Sequence, residues 1–251
     1  GRSSLNGCEA GDWQWGSCTI TGVTVQPDVQ TMQNFICSSL SSGQQIQLQD
    51  SRDGKMYWVG KLPDNNCWMT QNLDLDLSTS KTLTPDNTNI SSSWTPKTST
   101  TTTISGYNSD TGKSYNPGDV YYENTSGTDQ HYHVGNYYQW SAATAGYTGT
   151  SQSTQSICPK GWTLPSRSQF RALINSGLPG SNFMNAPYYL LGGGYLNSSS
   201  LGDAGLWGYY WSSTPYGSSD AYLLRFGPSY ATADYYYSRY FGFSVRCVAA
   251  G

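Results

Sequence analysis

Hydrophobic residues recur at helical spacing in two segments of the chain. In the first segment, Pro27 is placed to open a helix and Gly43 to close it, and the apolar positions between them are Val29, Met32, Ile36 and Leu40. In the second segment, Ser166 and Gln169 form a capping box, Gly177 can end the helix, and the apolar face consists of Phe170, Leu173 and Ile174. The pattern therefore predicts two helices.

Short runs that alternate between polar and apolar residues predict strands elsewhere in the chain. Residues 44–50 (QQIQLQD) alternate, and the dipeptide Asp53-Gly54 lies between strand-like runs as a hairpin signal. Residues 67–77 continue in extended form, and from Tyr188 onward short strands alternate with Gly-rich turns. The pattern predicts an α+β fold with two helices, short antiparallel strands and long irregular loops.

Residues 78–129 lack a regular apolar pattern. They are rich in Ser, Thr, Asn, Gly and Pro, which predicts long surface loops with short strands, among them GDVYYEN at 118–124. Residues 1–24 are predicted to form a small disulfide-tied flap. We therefore divide the chain into an N-terminal extension with a helix, residues 1–44, and a domain that covers residues 45–251.

The chain contains six cysteines and no pair at the CxxC spacing. Metal clusters usually need such close pairs, so an even number of dispersed cysteines favours disulfides and an exported protein, extracellular or at the cell surface. We predict the pairs Cys8–Cys18, Cys37–Cys67 and Cys158–Cys247, although the sequence alone does not prove this connectivity. Reduced thiols in a cytosolic core are the alternative.

The charge of the chain excludes some classes of partner. The formal net charge is −3, and Lys and Arg together number only 13. No basic stripe exists to hold phosphate groups, which argues against nucleic-acid binding. No apolar run reaches the roughly 20 residues of a membrane-spanning helix, so no membrane span is expected in this chain.

The C-terminal segment has an unusual composition. From Trp207 onward there is no Lys, Glu, Gln, Asn, His, Met or Ile, and the segment holds nine of the 21 tyrosines. The strand pattern of AYLLRFG and GFSVRCV vanishes in PYGSSD and in PSYATADYYYSRY. Tyr offers a large contact area with few rotors to freeze, while Ser, Gly and Asp supply adaptable hydrogen bonds. The regular parts are therefore predicted to be scaffold and the irregular parts a displayed binding surface.

The predicted binding face is built from residues of this irregular sequence. Its members are Tyr209, Tyr216, Ser218, Ser219, Asp220, Tyr222, Ser229, Tyr230, Thr232, Asp234, Tyr235, Tyr236, Tyr237, Ser238 and Tyr240. In extended geometry Tyr236 points away from the side of its two neighbours, so we expect one of the three consecutive tyrosines to be buried. A Tyr-rich strand edge in a domain of fixed sequence is the alternative interpretation.

Five segments in a fixed order carry a family resemblance. They are DGKMYWVGKL with CWMTQNL (53–73), GNYYQWSAAT (135–144), CPKGWTLPSRSQF (158–170), GYYWSST (208–214) and GFSVRCV (242–248). Together they resemble the Fibrobacter succinogenes major paralogous domain, a family of exported bacterial domains, over roughly residues 45–249. The most specific parts are the CPxGWxLP box and the final SVRC. We expect Trp140, Trp162 and Trp211 to be core anchors rather than ligand contacts.

The resemblance implies a C-type lectin-like fold, in which the first and last strands pair and a long irregular region lies on top. A lectin-like domain with such a C-terminal segment also resembles the variable protein of a diversity-generating retroelement. In those systems mutated adenines alter the 3′ end of the gene, and change at the first two bases of AAC codons can give Tyr, Ser, Asp, Ala, Gly, Thr, Pro, Arg or Phe. Every displayed residue between Pro215 and Tyr240 fits that set. The implied function is a hypervariable ligand-binding site in about 207–248, with a protein partner favoured over a glycan.

Metal sites find little support in the sequence, and no cofactor is expected. His131 and His133 lie on one side of a predicted strand, but no third ligand is evident. The tripeptide at 26–28 (QPD) is interpreted as helix-opening chemistry. Asp and Asn recur in PDNN, PDNTN and NPGD without the spacing of an EF-hand, so a structural calcium ion stays an open alternative.

Other functions remain as alternatives. A fixed-sequence adhesin or glycan-binding module would use the same fold, and formylglycine-generating enzymes are similar to it while using a reactive cysteine pair. Here Cys158 and Cys247 match structural positions of the paralogous domain. Only two glutamates occur, Glu9 and Glu123, and no Ser/His/Asp arrangement stands out. We therefore predict that the protein is not an enzyme.

Overall fold

We describe the protein from a computed structural model. It describes residues 18–20, 23–25, 30–75, 77, 82–96, 113–114, 135–177, 183–197 and 200–249, with the backbone alone at 18–20, 23–25, 113–114 and 200. The chain divides into two compact units, Gly1–Gln30 and Thr31–Gly251. In the first unit, strands β1 (Cys18–Ile20) and β2 (Val23–Val25) form an antiparallel pair. Residues 31–44, which the sequence analysis grouped with the extension, belong to the second unit.

A five-stranded sheet forms the base of the second unit. Its strands are β3 (Gln45–Gln49), β4 (Met56–Lys61), β5 (Cys67–Met69), β8 (Trp162–Thr163) and β14 (Val248–Ala249). All neighbours are antiparallel, in the order β3-β4-β5-β14-β8. The predicted hairpin is confirmed, because β3 and β4 pair antiparallel on either side of Asp53-Gly54. Gly54 adopts φ +78°, a conformation that favours glycine.

The last strand does not pair with the first strand of this sheet. The resemblance implied such a pairing, but β14 lies between β5 and β8, while β3 pairs with β4 and forms an isolated bridge from Gln49 to Thr31. The local hairpin explains the difference, because it gives β3 its partner a few residues further along the chain. Two short pairs complete this part of the fold, β6 (Lys113–Ser114) with β7 (Asn136–Tyr137) and β9 (Tyr195–Asn197) with β10 (Ser200–Gly202).

A three-stranded antiparallel sheet carries most of the C-terminal segment. It consists of β11 (Gly208–Tyr216), β12 (Asp220–Phe226) and β13 (Ala231–Ser238), with β12 in the centre. Alternate residues enter two apolar clusters. Tyr209, Trp211, Ala221 and Leu223 join the main core, whereas a second cluster contains Tyr210, Leu224, Phe226 and Ala233. This period of two is the strand geometry that the sequence predicted for AYLLRFG. The irregular structure predicted for PSYATADYYYSRY is wrong over residues 231–238, where pairing with β12 forms β13.

The described residues contain two α-helices, α1 (Trp140–Ala143) and α2 (Arg167–Ser176). Helix α2 is confirmed with its capping box, since Ser166 Oγ accepts from Gln169 N and Gln169 Oε1 accepts from Ser166 N. Its buried residues Phe170 and Leu173 face the second cluster. The three-stranded sheet therefore packs against this helix.

The predicted helix across residues 27–43 is wrong over the part that is described. Two 3₁₀ turns stand there, Met32–Asn34 and Cys37–Ser39, and Ile36 is 65% exposed. Thr31 N and Oγ1 both donate to Asn34 Oδ1, and Ser39 Oγ donates to the carbonyl of Ile36. Such local side-chain bonds compete with α-helical hydrogen bonding.

Two disulfides and a buried arginine tie the second unit together. Cys37–Cys67 and Cys158–Cys247 both form, as predicted, whereas Cys8–Cys18 lies outside the residues whose side chains are described. Arg246, 1% exposed, donates to Asn72 Oδ1 at 2.6 Å, to the carbonyls of Met69 and Tyr188 at 3.2 and 2.9 Å, and to the carbonyl of Tyr189. Burial lowers the pKa of Arg246 to about 10, so it stays charged at neutral pH.

The predicted aromatic anchors are buried. Trp140, Trp162 and Trp211 are at most 1% exposed, and each indole donates to a backbone carbonyl. A buried indole that finds its acceptor contributes its large apolar area without leaving an orphan N–H. Among the described residues, no helix has both the length and the apolar character to cross a membrane.

Candidate ligand-binding surface

The three consecutive tyrosines of β13 divide between the two faces of the three-stranded sheet. In the register with β12, Tyr236 lies opposite Tyr222, while Tyr235 and Tyr237 lie opposite Leu223 and Ala221. Successive strand residues point to opposite faces, so Tyr236 faces the side of α2 and its neighbours face the other side. None of the three is fully buried. Tyr235 and Tyr236 are 39% and 46% exposed, and Tyr237 is half-buried.

On the side of α2, three phenol rings form a contiguous group that we call the helix-side cluster. It consists of Tyr216, Tyr222 and Tyr236. The rings of Tyr216 and Tyr236 stack with centroids 3.9 Å apart, and both meet Tyr222 edge-on at 5.3 and 6.2 Å. The guanidinium of Arg167 lies 3.9 Å above the Tyr222 ring, a distance at which cation–π attraction acts. Tyr216 and Tyr236 remain 43% and 46% exposed.

An ion-pair network borders this cluster. Asp234 lies where the register of β13 shifts against β12, and its Oδ1 accepts from Arg167 and Arg171 of α2 at 2.6–2.9 Å. Burial opposes ionisation of Asp234, but the hydrogen bonds and charges of the two arginines prevail and lower its pKa. The carboxylate is half-exposed, so this ion-pair network lies at the surface rather than in the core.

The opposite face carries a second group, the Arg225 cluster, which consists of Trp207, Tyr209, Arg225, Tyr230 and Tyr235. The guanidinium of Arg225 lies 3.9 Å above the Trp207 ring and 4.9 Å from the Tyr235 ring. Arg225 Nε donates to Tyr209 Oη at 3.2 Å, and Arg225 Nη1 donates to Tyr230 Oη. Tyr230 is 40% exposed and also contacts Trp207, with ring centroids 5.0 Å apart.

Tyr209 is a correction to the predicted binding face. It is only 3% exposed because it lies in the main core, where its ring stacks on Phe243. Its hydroxyl donates to Asp203 Oδ2 at 2.5 Å and accepts from Arg225. Burial raises the pKa of Tyr209, as does its bond to Asp203. Tyr209 therefore holds Arg225 in position by a hydrogen bond and, because it is buried, does not belong to the exposed binding face.

Tyr237 extends the face that carries Arg225, and Tyr240 follows the end of β13. Tyr237 packs edge-on against Phe241 at 4.4 Å, so part of its ring joins the core. Tyr240 is 50% exposed, and its carbonyl accepts from Gln139 Nε2 at 2.7 Å. The backbone at Tyr240 is thus held while its ring reaches solvent.

The small predicted residues lie in turns and along the sheet edge. Ser218, Ser219 and Ser229 are exposed, whereas Asp220, Thr232 and Ser238 are half-buried. Gly217 adopts φ +71°, which favours glycine in the turn between β11 and β12. Arg239 Nη2 donates to the carbonyl of Gly217 at 2.8 Å and Arg239 Nε to that of Asp220 at 3.1 Å. The turn is therefore braced by a side chain from beyond β13.

The sequence did not identify Trp207 and Arg225 as site residues, nor the arginines of α2 that border the helix-side cluster. Arg225 lies within a predicted strand, and Arg167 and Arg171 lie within a predicted helix. The strand AYLLRFG carried a signal, because Arg225 occupies the same alternate position as Ala221 and Leu223, which are buried. A charged residue at such a position needs special partners, and the phenol and indole rings supply them.

Candidate metal ligands are not grouped among the described residues. These residues contain no group of three or more His, Cys, Asp or Glu residues arranged to hold a metal ion. His131 and His133 lie outside the described residues, as does the 26–28 tripeptide. Cys158 and Cys247 are bonded to each other and buried.

Comparison with known proteins yields no match. No family model fits the chain, and no curated protein or solved structure is similar to it at a significant level.

Proposed function

We propose that this protein is an exported ligand-binding protein of the C-type lectin-like class, whose Tyr-rich C-terminal surface is hypervariable through a diversity-generating retroelement. The observation that carries the proposal is the exposure of Tyr216, Tyr230, Tyr235, Tyr236 and Tyr240 on and beside a sheet whose leucines, phenylalanine and tryptophan are buried. Exposed phenols cost solubility without adding core stability, so their concentration in one segment favours a recognition role.

The way the segment is anchored supports the proposal. Leu223 and Leu224 of β12 are fully buried on opposite faces of the sheet, and the disulfide Cys158–Cys247 fixes the chain just after the segment. Such a frame tolerates changes in side chains that point to solvent. Two disulfides among the described residues also support an oxidising compartment, at the cell surface or outside the cell.

A protein partner fits the surface better than a glycan. On each face of the sheet the exposed rings form an open group instead of lining a closed pocket, and open aromatic patches suit flat partners. A few such tyrosines can each contribute about 2 kcal/mol or more to a protein interface. Glycan binding by a fixed-sequence module is the competing outcome.

The DNA downstream of the gene tests the proposal. We expect a near-repeat of the codons for residues 215–240 with adenines at the tyrosine positions, beside a reverse transcriptase gene. Sequencing the gene from many cells should then show substitutions at Tyr216, Tyr230, Tyr235 and Tyr236 but none at Val245 or Cys247. An invariant gene with no such repeat, combined with binding on a glycan array, would replace the proposal with the fixed-sequence lectin.

A further inference from the structure

We propose that the Arg225 cluster is a carboxylate-binding site that takes an aspartate or glutamate side chain of a protein partner. The inference rests on the proposed function, since it assigns chemistry to one part of that recognition surface. Neither Arg225 nor Trp207 belongs to the residues that the sequence singled out.

Arg225 is an uncompensated cation at the surface. It is half-buried and forms no ion pair with any described carboxylate. Its neighbours on the surface differ, because Arg167 and Arg171 share the carboxylate of Asp234. Arg239 also differs, because its N–H groups donate to the carbonyls of Gly149, Gly217 and Asp220. Among these arginines, Arg225 therefore differs in having neither a described carboxylate nor a described carbonyl as its hydrogen-bond partner.

The aromatic partners hold the guanidinium in place before any ligand arrives. Trp207 supports one of its faces at 3.9 Å, and the hydroxyls of Tyr209 and Tyr230 accept from Nε and Nη1. A long side chain normally loses rotamer freedom when it binds. Here the stacking and the two hydrogen bonds have already restricted it, so less freedom remains to be lost.

The N–H groups that remain match a carboxylate. A guanidinium has five N–H donors, and the hydrogen bonds to the two tyrosines use one on Nε and one on Nη1. The described residues provide no acceptor for Nη2. A planar guanidinium edge with free donors on both terminal nitrogens can pair with the two oxygens of one carboxylate.

A phosphate group fits the site less well. Arg225 is the only cation of the cluster. Tyr209 Oη accepts from Arg225 and donates to Asp203, so a negatively charged carboxylate lies close to the site. That negative charge repels a dianion more strongly than a monoanion. The exposed rings of Tyr230 and Tyr235 can cover the methylene groups of an acidic side chain, which a free phosphate lacks.

Nuclear magnetic resonance of the arginine Nε–Hε groups tests the site directly. The probe is the peptide acetyl-Gly-Glu-Gly-amide, compared with its glutamine counterpart and with inorganic phosphate at equal ionic strength. We expect the glutamate peptide to shift the Arg225 signal saturably and to bind at least fivefold more tightly than either comparison. Equal binding of the glutamine peptide, or tighter binding of phosphate, would overturn the proposal.

Two variants separate the site from general effects of charge. R225K keeps the charge but loses the planar fork, and should weaken glutamate binding at least fivefold. R171K is the matched control, since Arg171 is half-exposed but already paired, and should leave binding unchanged. If R225K does not fold, Tyr230→Phe removes one positioning hydroxyl and should still weaken binding by about twofold or more. Unchanged binding in the folded Arg225 or Tyr230 variant would contradict the assignment.

The outcome also distinguishes this inference from the function on which it rests. Loss of the carboxylate site with a diversified gene would leave the proposed function intact. An invariant gene without a template repeat, with glutamate binding intact, would remove the proposed function and leave the site.

Discussion

Residues 216–240 and residues 241–248 follow one another in the chain but meet solvent in opposite ways. The first stretch holds five tyrosines that are 39–50% exposed. Every residue of the second is buried, including Arg246 and the disulfide-bonded Cys247. The exposed tyrosines of the first stretch are those of the proposed binding surface, whereas the second stretch anchors the chain in the core. Substitution of these tyrosines should therefore cost binding, and substitution in the second stretch should cost stability.

Removal of the late disulfide should have the largest effect. The double variant C158A/C247A opens a loop with a sequence separation of 89, and the chain-entropy model assigns about 4–5 kcal/mol to a loop of that size. Urea unfolding measures the loss in the free energy of unfolding. The pair C37A/C67A, with a separation of 30, should cost about 1 kcal/mol less. An equal or reversed order would show that loop length is not what matters.

Loss of the buried arginine should come next. Arg246→Met leaves Asn72 and three backbone carbonyls without their charged donor, which should lower the free energy of unfolding by about 3 kcal/mol. The control is Arg225→Met, whose side chain is only half-buried, and which should cost clearly less. If both variants lose the same stability, the contrast between the two stretches fails.

The ion-pair network of Asp234 should contribute about 1 kcal/mol or less, because the carboxylate is half-exposed. Its pKa is lowered in the folded state, so this stabilisation is present above the unfolded value near pH 4 and is lost as the pH falls through the lower, folded value. The stability difference between the natural chain and Asp234→Asn should thus shrink below about pH 4. A difference that is constant from pH 7 to pH 2 would rule out an ionic origin.

Substitution of the exposed rings should affect stability least. Tyr236→Ser removes one stacked ring of the helix-side cluster and should change the free energy of unfolding by about 1 kcal/mol or less. Leu223→Ser, on the neighbouring central strand and fully buried, is the contrasting variant and should destabilise severely by burying an unsatisfied hydroxyl in a cavity. Similar losses in both would mean that the tyrosine face is part of the core.

Several local features could be predicted from the sequence because they depend on near neighbours. The capping box of α2, the Asp53-Gly54 hairpin and the alternation along β12 all depend on residues only a few positions apart. The disulfides Cys37–Cys67 and Cys158–Cys247 were also predicted correctly. By contrast, the apolar spacing of residues 29–40 predicted a helix that is not there, because local Thr, Asn and Ser hydrogen bonds compete with the helical ones.

What the sequence by itself determined is the inventory of the surface and its central strand. Composition identified the tyrosines and period-two patterning identified β12, but the strand β13, which carries Tyr235, Tyr236 and Tyr237, was predicted to be irregular. Only the tertiary structure decided that Tyr236 and Tyr235 serve opposite faces, that Tyr209 is buried, and that Arg225 lacks a carboxylate partner. These properties depend on strand register and on contacts between residues far apart in the chain, such as Asp234 with α2, and no local pattern encodes them.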